Sequence, residues 1–193
     1  MINFATTNIL RMDHIKLHDK KFRIFIPSEK IQQSIAEVAR QLNDNYKDKE
    51  KPLFLSVLNG SFMFTADLLK NIDFQCEISF IKLSSYSGTS TTGEVNEVLG
   101  LSSSVQGREV IILEDIVDTG NTVVELHNIL KKRGASAIKI CTLLLKPDAY
   151  KKELPIDYIA LKIPNDFIVG YGLDYNQLGR QYKDIYTLDQ SSD

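Results

Sequence analysis

The chain has 193 residues, 43% hydrophobic and 25% charged, with a net charge of -2. That fits one domain able to bury roughly 70% of its unfolded surface, and an ordinary soluble globular protein. It excludes nucleic-acid or membrane binding through a broad basic field, and no apolar run approaches the ~20 residues of a membrane span. The start, Met1-Ile2-Asn3-Phe4-Ala5-Thr6, lacks a charged region followed by an apolar one, so no signal peptide and a cytoplasmic location are expected. Cys76 and Cys141 each fall inside an expected strand and read as buried, reduced thiols. With three histidines, of which His14 and His18 lie in a polar N-terminal segment, a histidine-based zinc site is not expected.

Residues 1 to about 20 are polar and weakly patterned. Phe22, Ile24 and Ile26 alternate with polar residues, which predicts a half-buried strand; Pro27-Ser28 ends it, with Ser28 as the expected N-cap. Ile31, Ile35, Val38 and Leu42 mark one helix face. Asn43 to Pro52 reads as a charged surface connection. Leu53 to Leu58 is a second, buried strand, broken at Asn59-Gly60-Ser61 and followed by a helix from Phe62 to Lys70. Cys76 to Leu83 is another strand, opening into the long polar run Ser84 to Gly93.

The central stretch runs from Val110 to Thr122. Its apolar start, rich in β-branched residues, predicts a strand buried on both faces. The carboxylates Glu114, Asp115 and Asp118 follow, then the polar turn Thr119-Gly120-Asn121-Thr122. Val123, Leu126, His127 and Leu130 then keep helix spacing until Gly134 stops it. Such a loop offers carboxylates at the strand end and bare backbone N–H groups at the helix start. The first suits a metal ion or hydroxyls, the second a phosphate. Ala137 to Leu145 is a further strand ending at Lys146-Pro147, and Tyr158, Ile159 and Leu161 mark the last one expected.

Alternating strands and helices predict an α/β fold with a mostly parallel sheet flanked by helices. In such sheets ligands bind at the carboxyl ends of the strands. The unusual segments all fall there: Asn59 to Ser61, Ser84 to Gly93, Glu114 to Thr122, and Lys146. Four strands thus deliver their odd residues to one edge, which predicts a single active site.

Glu114-Asp115-Ile116-Val117-Asp118-Thr119-Gly120 with Asn121-Thr122 resembles the phosphoribosyl-pyrophosphate (PRPP) motif of type I phosphoribosyltransferases. Leu58-Asn59-Gly60-Ser61, Ser85-Tyr86, Leu145-Lys146-Pro147 and the stretch from Ile163 to Asn176 are similar to the hypoxanthine-guanine branch of that family. The matching pieces occur in the family's order. The resemblance implies the type I phosphoribosyltransferase fold, with residues 1–193 as a single domain whose small hood is built from about 1–25 and 150–193. It also implies transfer of a 5-phosphoribosyl group from PRPP to hypoxanthine or guanine, with magnesium, in purine salvage. Partners implied are PRPP and a 6-oxopurine, in a homodimer or homotetramer, with no nucleic acid or membrane. The rival readings are a xanthine-preferring relative and a noncatalytic PRPP-sensing regulator that binds RNA; the near-neutral charge argues against the second.

Breaking the C1–O bond of PRPP builds positive charge on the ribose and negative charge on pyrophosphate. By the resemblance, Glu114 and Asp115 meet the ribose hydroxyls and the magnesium ion. Asp118 is the general base or acid at purine N7, although on its own it reads equally as a helix cap. Thr119, Gly120, Asn121 and Thr122 cradle the 5′-phosphate. Asn59 and Gly60 form the pyrophosphate loop, which in the family holds a non-proline cis peptide. Many family members carry Lys in place of Asn121, and some carry Lys or Arg in place of Asn59, so pyrophosphate neutralisation leans on metal and Arg180. Ser85 and Tyr86 match a mobile lid that keeps water from the oxocarbenium-like centre. Lys146 donates to the purine 6-oxo group, Phe167 stacks on the ring, and Ile168 and Leu173 meet the base edge through backbone groups. Asp174 is a second magnesium carboxylate on the pyrophosphate side.

Overall fold

The computed structural model describes residues 12–47, 51–83 and 104–189, and the backbone of 97–99. Strands β1 (His14–Leu17) and β2 (Lys20–Ile26) open the described chain. Helix α1 (Ser28–Tyr46), β3 (Leu53–Val57), α2 (Phe62–Leu69), β4 (Glu77–Leu83) and the short β5 (Glu97–Leu99) follow. Strand β6 (Glu109–Val117) leads into α3 (Asn121–Lys132). Then come β7 (Ala137–Leu145), β8 (Tyr158–Lys162), β9 (Ile168–Val169) and β10 (Ile185–Leu188).

The strands form two sheets. The larger has the order β5-β4-β3-β6-β7-β8, and all its pairs are parallel except the edge pair of β4 with β5. The smaller, β1-β2-β10-β9, is antiparallel. This is the expected α/β fold.

Strand β6 lies inside the larger sheet, and Val110, Ile111, Ile112 and Leu113 are all fully buried. Successive side chains point to opposite faces. Ile111 and Leu113 pack with Phe54 against Ile31, Ile35, Val38 and Leu42 of α1 and Phe64 and Leu68 of α2. Val110 and Ile112 pack with Leu53 and Leu55 against Val123, Leu126 and Leu130 of α3. Each such side chain contributes about 1.5–3 kcal/mol by burial.

Several local details differ from the sequence-based expectation. Ser28 is not the cap of α1: Pro27 occupies that position and has no polar side chain to cap with, and the Ser28 N–H donates instead to Asp184 Oδ1 at 2.6 Å. A carboxylate 156 residues away does the work, which local pattern does not reveal. Helix α1 also runs through Asn43–Tyr46, because Tyr46 is buried and stacks on Phe74 with ring centroids 5.4 Å apart. Cys141 is buried in β7, whereas Cys76 precedes β4 and is only half-buried. The second sheet draws its C-terminal strands from Ile168 onward; β8, within the segment expected to form the hood, pairs instead with β7 in the larger sheet. The expected lid residues Ser85 and Tyr86 lie outside the described residues. Among the described residues, no helix is long and apolar enough to cross a membrane.

Candidate active site

Because β3, β6, β7 and β8 run parallel, their carboxyl ends share one edge of the sheet. Asn59–Ser61 follow β3, Lys146 follows β7, and the chain leaving β8 reaches Phe167. Glu114 and Asp115 belong to the last turns of β6 itself, and Asp118–Gly120 connect it to α3.

Strand alternation sends the two adjacent carboxylates in different directions. Glu114 lines a small pocket of about 90 Å³ with Asp118 through Thr122. Asp115 faces the β3–α2 loop: a Cβ added to Gly60 would lie 1.5 Å from Asp115 Oδ2. Glu114 is 8% exposed, and its Oε2 has no hydrogen-bond partner among the described residues. Burial, and secondarily the charge of Asp115, hold its carboxyl well above the ordinary value. Burial likewise pushes Asp115 up to about 6; the N–H groups of Ile116 and of Asp115 itself, and the charge of Arg180, oppose the shift, while Asp174 adds to it. Among the described residues no three ligating side chains gather into one cluster. The donor set nevertheless fits a hard cation with oxygen ligands: one buried carboxylate oxygen is orphaned, and both carboxylates are penalised for their charge.

Asp118 does not cap α3. Gly120 holds the cap position with φ +79°, and no side chain bonds to the helix start. The first N–H groups of a helix have no intrahelical partner, so the turn presents donors and the positive end of the helix dipole. The ring of Tyr150 covers the glycine so closely that an added Cβ would sit 2.3 Å from Tyr150 Cε2. Freed from capping, the Asp118 carboxylate accepts a hydrogen bond from Lys146 Nζ at 3.1 Å. The Lys146 side chain is 10% exposed and that of Asp118 43%, so the carboxylate faces the cleft while the ammonium is held behind it.

The β3–α2 loop contains a cis peptide between Leu58 and Asn59, as the resemblance implied for this loop. A buried hydroxyl cluster supports it. Ser56 Oγ lies 2.7 Å from Ser61 Oγ and 2.8 Å from Thr65 Oγ1, and Ser61 Oγ donates to the Val57 carbonyl at 2.5 Å. Above the loop, a Cβ added to Gly172 would fall 2.1 Å from the Gly60 carbonyl oxygen. Gly60 is thus clamped between Asp115 and Gly172. Arg180 closes this side: Nη1 donates to the Gly172 carbonyl at 2.7 Å, and Nη2 pairs with Asp174 Oδ1 at 2.6 Å. Asp174 Oδ2 accepts from the Gln177 N–H at 2.7 Å.

Phe167 is 47% exposed, with Phe22 and Tyr175 behind its ring at centroid distances of 6.1 and 5.7 Å. Ile168 and Leu173 are buried. Asn59, Thr119 and Asn121 are exposed, and Thr122 is half-buried. A larger cavity, about 1130 Å³, lies at the amino ends of the strands, but Arg108 and Glu109 on its wall are already engaged by Glu77 and Tyr46.

Sequence reasoning missed two supporting tyrosines. Tyr150 gives no local signal, since its contact with Gly120 is made through the fold. Tyr171 had one: an aromatic residue set between Gly170 and Gly172. It has φ +49°, and its hydroxyl donates to Asp67 Oδ2 at 2.6 Å.

The phosphoribosyl transferase domain family matches residues 27–176. A hypoxanthine phosphoribosyltransferase of Escherichia coli (strain K12) is 42% identical over 156 residues, covering 80% of this chain and 88% of that protein. A hypoxanthine-guanine phosphoribosyltransferase of Mycobacterium avium is 41% identical over 172 residues, covering 86% and 85%. The crystal structure of a hypoxanthine phosphoribosyltransferase from Staphylococcus aureus superposes with a TM-score of 0.79 at 40% identity, covering 86% of this chain and 91% of that one.

Proposed function

This chain belongs to the phosphoribosyltransferase family, and we propose that its substrates are PRPP and a 6-oxopurine, joined at the edge formed by Asp118, Lys146 and Phe167. The reaction gives the purine nucleotide and pyrophosphate, a step of purine salvage. One observation carries the substrate choice: the base-side carboxylate, Asp118, is paired with a nearly buried cation, Lys146. An ammonium has three donors and no acceptor. It can keep Asp118 and still donate to a 6-oxo oxygen, but it offers nothing to the amino group of adenine.

The remaining roles are those the family resemblance implies, and the chemistry of the residues supports them. Asp118 accepts or returns the proton at purine N7, where a carboxylate within hydrogen-bond reach is sufficient. Phe167 offers its exposed face to the ring, and the backbone at Ile168 and Leu173 meets the base edge. Thr119, Gly120, Asn121 and Thr122 hold the 5′-phosphate at the uncapped helix start. Glu114 and Asp115 take the ribose hydroxyls. Asn59 and Gly60 meet the pyrophosphate, whose charge is met by Arg180. The orphaned Glu114 oxygen and the penalised Asp115 support magnesium as the resident cation, with Asp174 as a further ligand on the pyrophosphate side. When bound, magnesium supplies charge neutralisation of the leaving group.

As an organisation of the chain we propose one domain with a hood, supported by the separate antiparallel sheet of β1, β2, β10 and β9. A homo-oligomer is supported by the exposed Ile78 and Phe80 on one face of β4.

Steady-state assays with PRPP, magnesium and the four purine bases test the reading. Hypoxanthine and guanine should turn over, and adenine should not. Turnover of adenine at a comparable rate would overturn the role of Lys146; no turnover of any base would overturn the enzyme.

A further inference from the structure

Tyr171 is 2% exposed, yet its φ of +49° is uncommon for an aromatic residue. Such an outlier persists only where its surroundings hold it, and it is a reason to look for function. What holds this one is Asp67, on the solvent end of α2. Its Oδ2 accepts from the Tyr171 hydroxyl at 2.6 Å and from Gln32 Nε2 at 2.7 Å, and its Oδ1 pairs with Lys70 Nζ at 2.8 Å. The same β3–α2 unit therefore grips the Gly170–Asp174 loop at two points. Gly60 meets Gly172 at the front of α2, and Asp67 meets Tyr171 further along. At and just beyond these points the loop presents the Gly172 carbonyl and the Asp174 carboxylate, both bonded to Arg180. The Tyr171 and Gly172 N–H groups bond to the carbonyls of Tyr182 and Arg180, so the arginine is tied to the same loop.

We infer that Tyr171 is a positioning residue for the pyrophosphate side of the site: its bond to Asp67 sets the distance between the Asn59-Gly60 loop and the Asp174–Arg180 pair. This rests on the reading of the chain as a PRPP-dependent transferase. On the purine side, Lys146, Asp118 and Phe167 stand on other elements, and of the gripped loop only the backbone at Leu173 is assigned to the base edge. Loss of the clasp should therefore act on PRPP far more than on the purine.

The test is Tyr171→Phe, which keeps the buried ring and removes only the hydroxyl, which donates to Asp67 and accepts from Gln32 Nε2 at 3.5 Å. The KM for PRPP and the Kd for pyrophosphate with magnesium, the latter by calorimetry, should both rise about tenfold. The KM for hypoxanthine and kcat at saturating PRPP should stay within about twofold. Asp67→Ala, which also releases Gln32 and Lys70, should weaken PRPP at least as much, and the double variant should be no worse than Asp67→Ala, because both remove the Tyr171–Asp67 bond. Asp67→Asn, whose amide oxygen still accepts, should recover most of the affinity. A structural role alone would lower the melting temperature and move neither KM, and that result would overturn the inference. So would equal movement of both KM values. Where Tyr171→Phe yields little folded protein, the two Asp67 variants carry the same comparison. Wild-type protein that binds neither PRPP nor pyrophosphate would overturn the function and this inference together. Wild-type binding with unchanged variants would overturn the inference alone.

Discussion

Lys146 Nζ stands 3.1 Å from Asp118 Oδ2, joining the residue after β7 to the residue after β6 across 28 positions of sequence. Among the described residues, neither side chain has another hydrogen-bond or ion-pair partner. In the proposed function the pair holds together a donor for the 6-oxo oxygen and an acceptor for the purine proton. Asp118→Asn keeps the shape and loses the acceptor. Its kcat should fall about 100-fold or more, while the Kd for PRPP changes by no more than a few-fold. Near-normal turnover in stopped-time assays would remove Asp118 from proton transfer.

Glu114 carries the clearest cost in the site, a buried carboxylate oxygen with no hydrogen-bond partner among the described residues. Unpaired buried charge is destabilising. Glu114→Gln should therefore raise the melting temperature of the ligand-free protein by a few degrees, at about 2–4 °C per kcal/mol for a chain of this size. It should at the same time weaken PRPP binding in magnesium. Calorimetric scans of both proteins without and with PRPP check it; a lower ligand-free midpoint would show that the carboxylate is satisfied after all.

Gly60 leaves no room for a side chain, with Asp115 Oδ2 1.5 Å from where a Cβ would stand. Gly60→Ala must displace either the loop or the carboxylate, and both belong to the proposed PRPP side. Turnover should drop by more than about tenfold, a displacement cost on the order of 1.4 kcal/mol or above. Gly107→Ala is the control: it has φ +73° but nothing within 4 Å of the added atom. It should cost about 1–2 kcal/mol of stability from backbone conformation and leave both KM values unchanged.

Asp67 gives a pH signature. Burial pushes its carboxyl up, but hydrogen bonds from Lys70, Tyr171 and Gln32 outweigh this and hold it below the ordinary value. A depressed carboxyl pKa contributes stability above the unfolded value, about 3.9, and loses it as pH falls through the folded value. The wild-type melting temperature should therefore decline between about pH 5 and 3 more steeply than that of Asp67→Asn. Parallel curves would place the carboxylate's bonds at no net stability.

The strands and helices were largely legible because burial imposes a period. Val110 to Leu113 had to be interior, and Ile31, Ile35, Val38 and Leu42 had to share a face. The convergence of Asn59, Glu114, Asp118 and Lys146 was legible too, since parallel strands bring their carboxyl ends to one edge. The N-cap of α1 was not, because Asp184 supplies it from the far end of the chain. Nor was the place of β8, because its pairing depends on which sheet edge is open to it.

Within the site, the order of residues along the chain determined which chemistry is present: carboxylates, then a phosphate-sized turn, then a lone cation and an exposed aromatic. Local pattern follows from local sterics and from the need to bury apolar side chains, so composition and spacing carry it. Only the tertiary structure decided between competing uses of the same atoms. Asp118 reads equally as a cap or as a base, and it is the packing of Lys146 beside it that turns its carboxylate to the cleft. Glu114 and Asp115 read as a pair, and it is the pleat of β6 that sends one to the helix start and the other to Gly60. Tyr171 carries no assigned role in the sequence, and its bond to Asp67 ties the loop of Asp174 to α2. Those choices rest on contacts between residues distant in sequence, which become fixed only when the elements pack.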